Sequence, residues 1–571
     1  MSNSDRKQYL TATVLDQDFL DQSADNMANQ LELVVEVDSP AGTIYASDRN
    51  KYVGDVFYPA LLKFPPIKRT IGEWLSPILE FSVINLEISN SDGRFNNVLP
   101  GGADFGGWVQ RSVVIKLGLR DVASTYITIF RGRITEVGGF SRSTKSIKLT
   151  ARDEYEKLNE KFPKDSLTET EYPDIEEKYL GKLKPVIYGD YTTALNPDTG
   201  ASIPSLPTNG ANASVLAGNT NLGLYVSATT NTVFDTSGVV LVRSSVVYPI
   251  NAADIVNVGA NKNTFELRQE FSGSVTIVNG VKYIYKSSDK IYCKVKGKDL
   301  GAYDDNIVEI ARDILLTYTD FTAGDFDTNW NTFRDKSTPS QSAIVNFKAR
   351  AYRDKAEKAV TYALSLLEQV RLEAFVSRDL KFKINSLHFE DFVAVPSFVM
   401  RNWDLEKNSF KPKVDERNNF NRVQGVYNLL PDTKEELSLT PFFRNQDSID
   451  NLSNGKVVGK GVAFPNLYEK SVVSDQATEI LKLSSSFFEI INCTATWRAL
   501  LLEPGDFILL TINIGASVFE EVPVMVRQIS YNPQGIKIPL QLWSMQMTPY
   551  PGYEPGYNNT VGGYTAAITE E

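Results

Sequence analysis

The sequence predicts a mainly β fold with minor α content. It has several domains: two tube-like antiparallel β-barrel domains, an inserted β domain and a small helical segment. Three observations carry this. Apolar and polar residues alternate with period two through the first 180 residues and again through the last third. The composition shifts to Gly, Asn, Thr and Val over 185–295. Apolar stripes with helical spacing are strongest at 304–318, with a second at 355–369.

In the first third, Leu33, Val35 and Val37 share one strand face. Phe81, Val83 and Asn85, then Leu86 and Ile88, make a less regular strand, and Val113, Ile115 and Leu117 a third. Tyr126–Phe130 and Arg133–Val137 flank Gly132, a bulge or a close backbone approach. Ile147, Leu149 and Ala151 close the series. Asn90-Ser91-Asp92-Gly93 is turn chemistry, because glycine takes positive φ without steric cost. Residues 30–155 therefore read as one antiparallel barrel or sandwich, followed by a charged helical stretch over Asp153–Phe162.

Within the insert, Ser274–Val278 and Val281–Tyr285 flank Asn279-Gly280 as a hairpin. A helix is expected over 304–318, capped by Asp304 or Asp305, with Ile307, Ile310, Ala311, Ile314 and Leu315 in one stripe. A second runs from Lys355 to Gln369 and leads into strands Arg371–Val376 and Leu380–Ile384. Farther on, Gly505-Asp506 turns into a strand at Phe507. Val522, Val524 and Val526 alternate, as do Ile536, Ile538, Leu540 and Leu542. The domains are accordingly 1–185, first barrel; 186–298, insert; 299–375, helical linker; 376–545, second barrel; and 546–571, a flexible or partner-ordered tail. The two β units give a coarse internal repeat.

The 571 residues carry 59 basic and 70 acidic side chains, a net charge of -11. That excess argues against duplex DNA or an anionic membrane as the main partner. The opening MSNSDRKQYL has no apolar core of a signal peptide, and no apolar run is long enough to span a bilayer.

Motifs for chemistry are weak. Cys293 and Cys493 are too few for a metal or disulfide framework and read as small buried hydrophobes. Asp198-Thr199-Gly200 and Asp235-Thr236-Ser237-Gly238 look like aspartic-protease fragments, but 37 residues of separation leave no room for two lobes, so both read as turn aspartates. Gly455–Gly461 lacks the spacing and the Ser or Thr of a phosphate loop. His388, the single histidine, rules out two-histidine metal sites. The acidic neighbours Glu171 and Asp174, Glu176 and Glu177, and Glu520 and Glu521 read as solvated faces rather than a glycosidase pair. No residue is assigned a catalytic, cofactor-binding or metal role, and no cofactor is implied.

A series of segments carries a resemblance. It comprises Thr43–Arg49 with Phe57–Leu61, Leu86–Asn96, Phe130-Arg131-Gly132-Arg133-Ile134, Pro185–Asp190, the helix and strands over 355–384, and Leu502–Ile508. In that order they resemble the tail hub and baseplate hub proteins of tailed bacteriophages, over roughly 1–190 and 300–545. The resemblance implies a non-enzymatic homotrimer in the distal tail of a virion. Each subunit would give two related barrels to a pseudo-hexameric ring seated on the tail tube. Tube, distal tail, tape-measure and tip or fibre proteins would be the partners, with DNA only in transit and no stable membrane insertion. An acidic balance would suit a lumen that conducts DNA without trapping it.

Three alternatives stand beside it: a hexameric distal-tail or baseplate ring protein, a tail-associated glycan hydrolase, and a receptor-binding role for 191–295. The hub reading requires the early and late β regions to be separately folded copies with the same strand connectivity.

Overall fold

The computed structural model describes residues 31–544 apart from connecting segments, of which 71–82, 192–202, 208–220, 335–346 and 388–397 are the longest, and then 568–570; through most of 203–290 it describes the backbone only.

The first unit contains β1 (Leu31–Ser39), β2 (Gly42–Ser47), β3 (Leu61–Lys63), β4 (Ile67–Thr70), β5 (Val83–Ser89), β6 (Ser112–Leu119), β7 (Ile127–Ser141) and β8 (Ser146–Asp153). All but β4 form one sheet in the order β2-β1-β6-β7-β8-β5-β3, every pair antiparallel. It is a curled, open sheet rather than a closed barrel. Among the described residues its two edges come together where Ser47, at the end of β2, bridges Ala60, just before β3.

The alternation has its expected effect in β1, β6 and β8, where Val35, Val37, Val113, Ile115, Ile147, Leu149 and Ala151 are fully buried. In β5 the inward face is the other one. Ile84, Leu86 and Ile88 are buried while Val83 is 54% exposed. The segments either side of Gly132 are one continuous strand, β7, and the bulges lie elsewhere in it. Gly132 is a close approach: a Cβ there would lie 2.2 Å from the carbonyl oxygen of Arg152. Gly93 turns the chain at φ +75° as expected.

Strand β9 (Val186–Tyr188) leads into the insert. The insert forms its own seven-stranded sheet, which includes β10 (Lys290–Lys298), and the expected hairpin pairs Val275–Val278 with Val281–Ile284. Asp235 lies within a strand of this sheet, paired with Lys294, not in a turn. Asp198, His388, Glu171, Asp174 and Glu176 fall outside the described residues, as do the side chains of Cys293 and Glu520.

Helix α1 (Ile307–Tyr318) starts from Asn306, whose Oδ1 accepts from the Val308 and Glu309 amides; neither Asp304 nor Asp305 caps it. Helix α2 (Ala359–Gln369) begins four residues later than the periodicity indicates, because Glu357 and Lys358 pair as a short strand with Lys161 and Phe162. Hairpin β11 (Leu372–Val376) with β12 (Phe382–Ser386) follows.

The last third holds β13 (Phe398–Arg401), β14 (Lys411–Asp415), β15 (Arg422–Leu429), β16 (Glu436–Asn445), β17 (Gly459–Phe464), α3 (Lys470–Ser484), β18 (Phe488–Ala495), β19 (Phe507–Ile514), β20 (Ser517–Tyr531), β21 (Ile538–Ser544) and β22 (Ile568–Glu570). Its main sheet runs β13-β19-β20-β21-β18-β14, and it too is open. Strands β17-β15-β16-β22 form a separate sheet, so Ile568–Glu570 of the expected tail is paired; Ile536 and most of 546–567 lie outside the described residues.

Among the described residues two large buried clusters organise the chain, with a small third one around Phe375, Met525 and Trp543. One joins both main sheets: Val35, Ile88 and Leu149 belong to the same buried cluster as Ile508, Val524 and Leu542. The two sheets are distinct, each with its own strand order, and share buried side chains where they meet. β4 makes the junction: it leaves the first unit's sheet and pairs with β20, carrying buried Ile67 into this cluster. The second core packs α1 and α2 with β9, β11 and β12, and takes in Phe420 to Leu481 of the β15–α3 segment.

Candidate functional site

The functional geometry lies in the correspondence between the two main sheets. In chain order the first contributes β1, β3, β5, β6, β7 and β8, and the second β13, β14, β18, β19, β20 and β21. In space the first runs β1-β6-β7-β8-β5-β3 and the second β13-β19-β20-β21-β18-β14. Replacing each of these six strands by its counterpart yields the other order; β2, at the outer edge of β1, has no counterpart. β6 and β19 are eight residues each, and β7 and β20 fifteen each. The orders differ in one direction: β1 pairs β6 antiparallel, whereas β13 pairs β19 parallel.

The match reaches individual residues. Between β6 and β7 the register shifts after Ile115, and between β19 and β20 after Leu510, each the fourth residue of its strand. A second bulge leaves Thr135 unmatched in β7 against β8, and Arg527 unmatched in β20 against β21. Each bulge adds one residue and bends the long strand, which is how an antiparallel sheet is made to curl.

A four-residue turn leads into each eight-residue strand. The Arg111 amide donates to the Trp108 carbonyl at 3.1 Å, and the Asp506 amide to the Glu503 carbonyl at 3.1 Å. The third residue is left-handed in both, Gln110 at φ +69° and Gly505 at φ +88°. Each turn then clasps the long strand identically. Gln110 donates to Ile134 at 2.7 Å and accepts nothing from it; the Ile134 amide donates to Arg111 at 2.9 Å. Gly505 donates to Val526 at 2.6 Å, and the Val526 amide donates to Asp506 at 2.9 Å. Pro504-Gly505 is the sequence signature of such a turn, and Val109-Gln110 hides it.

The surroundings of the two turns differ. β12 lies over the second: Asn385 Nδ2 donates to the Gly505 carbonyl at 2.7 Å, and Lys383 pairs with Glu503 at 3.2 Å. Beside the first is an open pocket of about 460 Å³ lined by Asp38, Gln110, Arg111, Arg131, Arg133 and Glu154. Arg111 reaches Asp38 at 3.5 Å across it.

β4 joins the units. Thr70, Arg69, Lys68 and Ile67 pair antiparallel with Gln528, Ile529, Ser530 and Tyr531. Arg69 is buried, stacks on the Tyr531 ring, and sends Nη2 to the carbonyl of Ile129 in β7 at 2.9 Å. Sequence reasoning passed over β4, because four residues with two cations give no strand signal.

Elsewhere, Glu32 lies buried and accepts from Ser47 and Tyr126, each at 2.7 Å, and pairs with Lys51. Burial pushes its carboxyl up, but those hydrogen bonds and the Lys51 charge outweigh it and hold it below the ordinary value. Burial raises the Cys493 thiol to about 12, as befits a small packed hydrophobe. Among the described residues no group of three or more His, Cys, Asp or Glu could hold a metal ion. Gly455 is left-handed at φ +79° and Gly459 opens β17, so Gly455–Gly461 is a turn and a strand. Glu521 sits in β20.

No protein-family model and no curated protein matches the chain. Among solved structures it is similar to a tail protein from Neisseria meningitidis MC58, at 8% identity and TM-score 0.39, covering 90% of this chain and 97% of that one. It is similar to the 43 kDa tail protein of prophage MuSo2 from Shewanella oneidensis, at 10% identity and TM-score 0.38, covering 90% and 98%. The Francisella PdpA–VgrG complex matches at 9% identity and TM-score 0.30, covering 96% of this chain and 59% of that one. At such scores these likenesses give no residue of this chain its role.

Proposed function

We propose that the chain is a structural, non-enzymatic component of a bacteriophage tail: a homotrimeric hub in the distal tail that joins the tube to the tip or baseplate. The observation that carries this reading is the shared six-strand order of the two main sheets, matched down to their bulges and turns. A chain with two equivalent units offers six near-equivalent units when three copies close about an axis. It can thereby adapt a threefold tip to a sixfold tube, since closed cyclic assembly satisfies strand edges without open-ended growth. In this reading 1–185 and 376–545 supply the ring units, 186–298 projects from it, 299–375 braces them, and 546–571 is a tail segment.

Native mass measurement of the full chain tests it. The expected mass is three times 63.6 kDa. Six copies would favour a simple hexameric ring instead, and a chain that stays monomeric at high concentration would end the proposal. Release of sugar from host envelopes by the purified protein would favour the hydrolase.

A further inference from the structure

The edge of β20 that β4 occupies has a counterpart in β7 that carries no strand among the described residues. In the second unit the Gly505–Asp506 turn clasps Val526, and two residues farther along β20 the β4 strand takes over that same edge, pairing with Gln528–Tyr531. In the first unit the Gln110–Arg111 turn clasps Ile134 in the same way. Two residues farther along β7 lies Glu136–Gly139, the counterpart of Gln528–Tyr531. β8 covers one side of this segment through pairs such as Val137 with Leu149 and Gly138 with Lys148. Its other side carries no strand among the described residues.

Nothing described obstructs an approaching strand. Glu136 is exposed, Val137 and Gly138 are half-buried, and Val109 at the tip of the adjoining turn is 39% exposed. Gly138-Gly139 lets another backbone come close. An unpaired edge next to a folded sheet is a template for strand addition.

We infer that the Glu136–Gly139 edge of β7 is an interface that receives a strand from a second copy of this chain, as β20 receives β4 within one chain. The occupant follows from continuity with the junction already built. In a closed ring of six units from three chains, three junctions are internal and filled by β4. The other three fall between chains, and each presents one β7 edge. Three interchain junctions of this kind close the ring; a self-complementary pairing of two β7 edges would close a dimer instead. The inference rests on the trimeric reading proposed above and adds to it the surface that closes the ring.

Hydrogen exchange along the full chain, read with native mass on the same sample, tests the two separately. The expected result is a trimer in which the amides of 136–139 that face away from β8 exchange about a hundredfold or more slower than in an unpaired peptide, with that protection lost in any monomer obtained by dilution. A trimer whose 136–139 amides on the open side exchange at the unpaired rate overturns the inference and leaves the hub proposal standing. A monomer overturns both, and a dimer protected at 136–139 overturns both in favour of paired β7 edges. Protection of those open-side amides that persists in the monomer overturns the inference, because a segment of the same chain then fills the edge.

Discussion

Glu373 and Gly189 show what single residues contribute. Glu373, in β11, is buried near Arg371 and Arg527. Burial pushes its carboxyl from 4.5 up to about 8, with the two arginine charges opposing. Glu368, nearby, is raised to about 7, again chiefly by burial. A folded state that holds its proton more tightly than the unfolded chain loses stability as pH rises between the two values. Stability should therefore fall from pH 4.5 to about 8. Glu373→Gln, which stays neutral, should shrink the drop in melting temperature between pH 5 and pH 8; an equal drop in variant and parent would show that Glu373 is already ionised. Gly189, in the Pro185–Asp190 segment, has φ +79°, and a Cβ on it would lie 2.2 Å from the Ala349 carbonyl oxygen. Gly189→Ala should cost about 1–3 kcal/mol or more in denaturant unfolding, through backbone strain added to the clash.

At the scale of elements, the two clasping turns allow a paired test. Gly505 adopts its left-handed conformation freely, while Gln110 holds the same conformation with a side chain. Gly505→Ala should cost about 1–3 kcal/mol, since its Cβ would also meet Asn385 Nδ2 at 2.3 Å. Gln110→Gly should stay within about 1 kcal/mol of neutral, because relief of strain offsets the entropy of a freer unfolded chain. Equal losses at both positions in urea melts would deny that the turns are equivalent. The same pair shows what the sequence conveys. Pro504-Gly505-Asp506 announces a turn, Val109-Gln110-Arg111 does not, and only hydrogen bonding reveals the likeness. Alternation exposes β1, β6, β8 and β20 because one face of each is buried. β4 is too short to alternate, and α3 escapes a reading tuned to strands, although Val473, Ala477, Ile480 and Leu481 are its buried stripe. The functional segment, Glu136–Gly139, carries no chemical motif. Its meaning lies in a neighbour it lacks among the described residues, and that is a property of topology.

For the whole molecule, the issue is whether two matched sheets behave as two bodies or one. Period-two patterning implied two, since each sheet has enough apolar strands to line a core of its own. The buried cluster runs through both, and β4 ties them by backbone pairing on β20 and by Arg69 on Ile129. Breaking the junction would expose Ile67, Tyr531 and Ile529 together. The two sheets should therefore unfold as a single cooperative unit. Native-state hydrogen exchange in rising denaturant checks this at β8 and β21, neither of which pairs with the junction strand. The expected outcome is that amides around Leu149 and Leu542 reach the same opening free energy. Arg69→Ala should lower both values together by about 1–3 kcal/mol, because it strands the Ile129 carbonyl and removes the stacked guanidinium from Tyr531. Opening free energies that differ by more than about 2 kcal/mol in the parent would mean that each sheet holds itself. The common core would then be contact without cooperation.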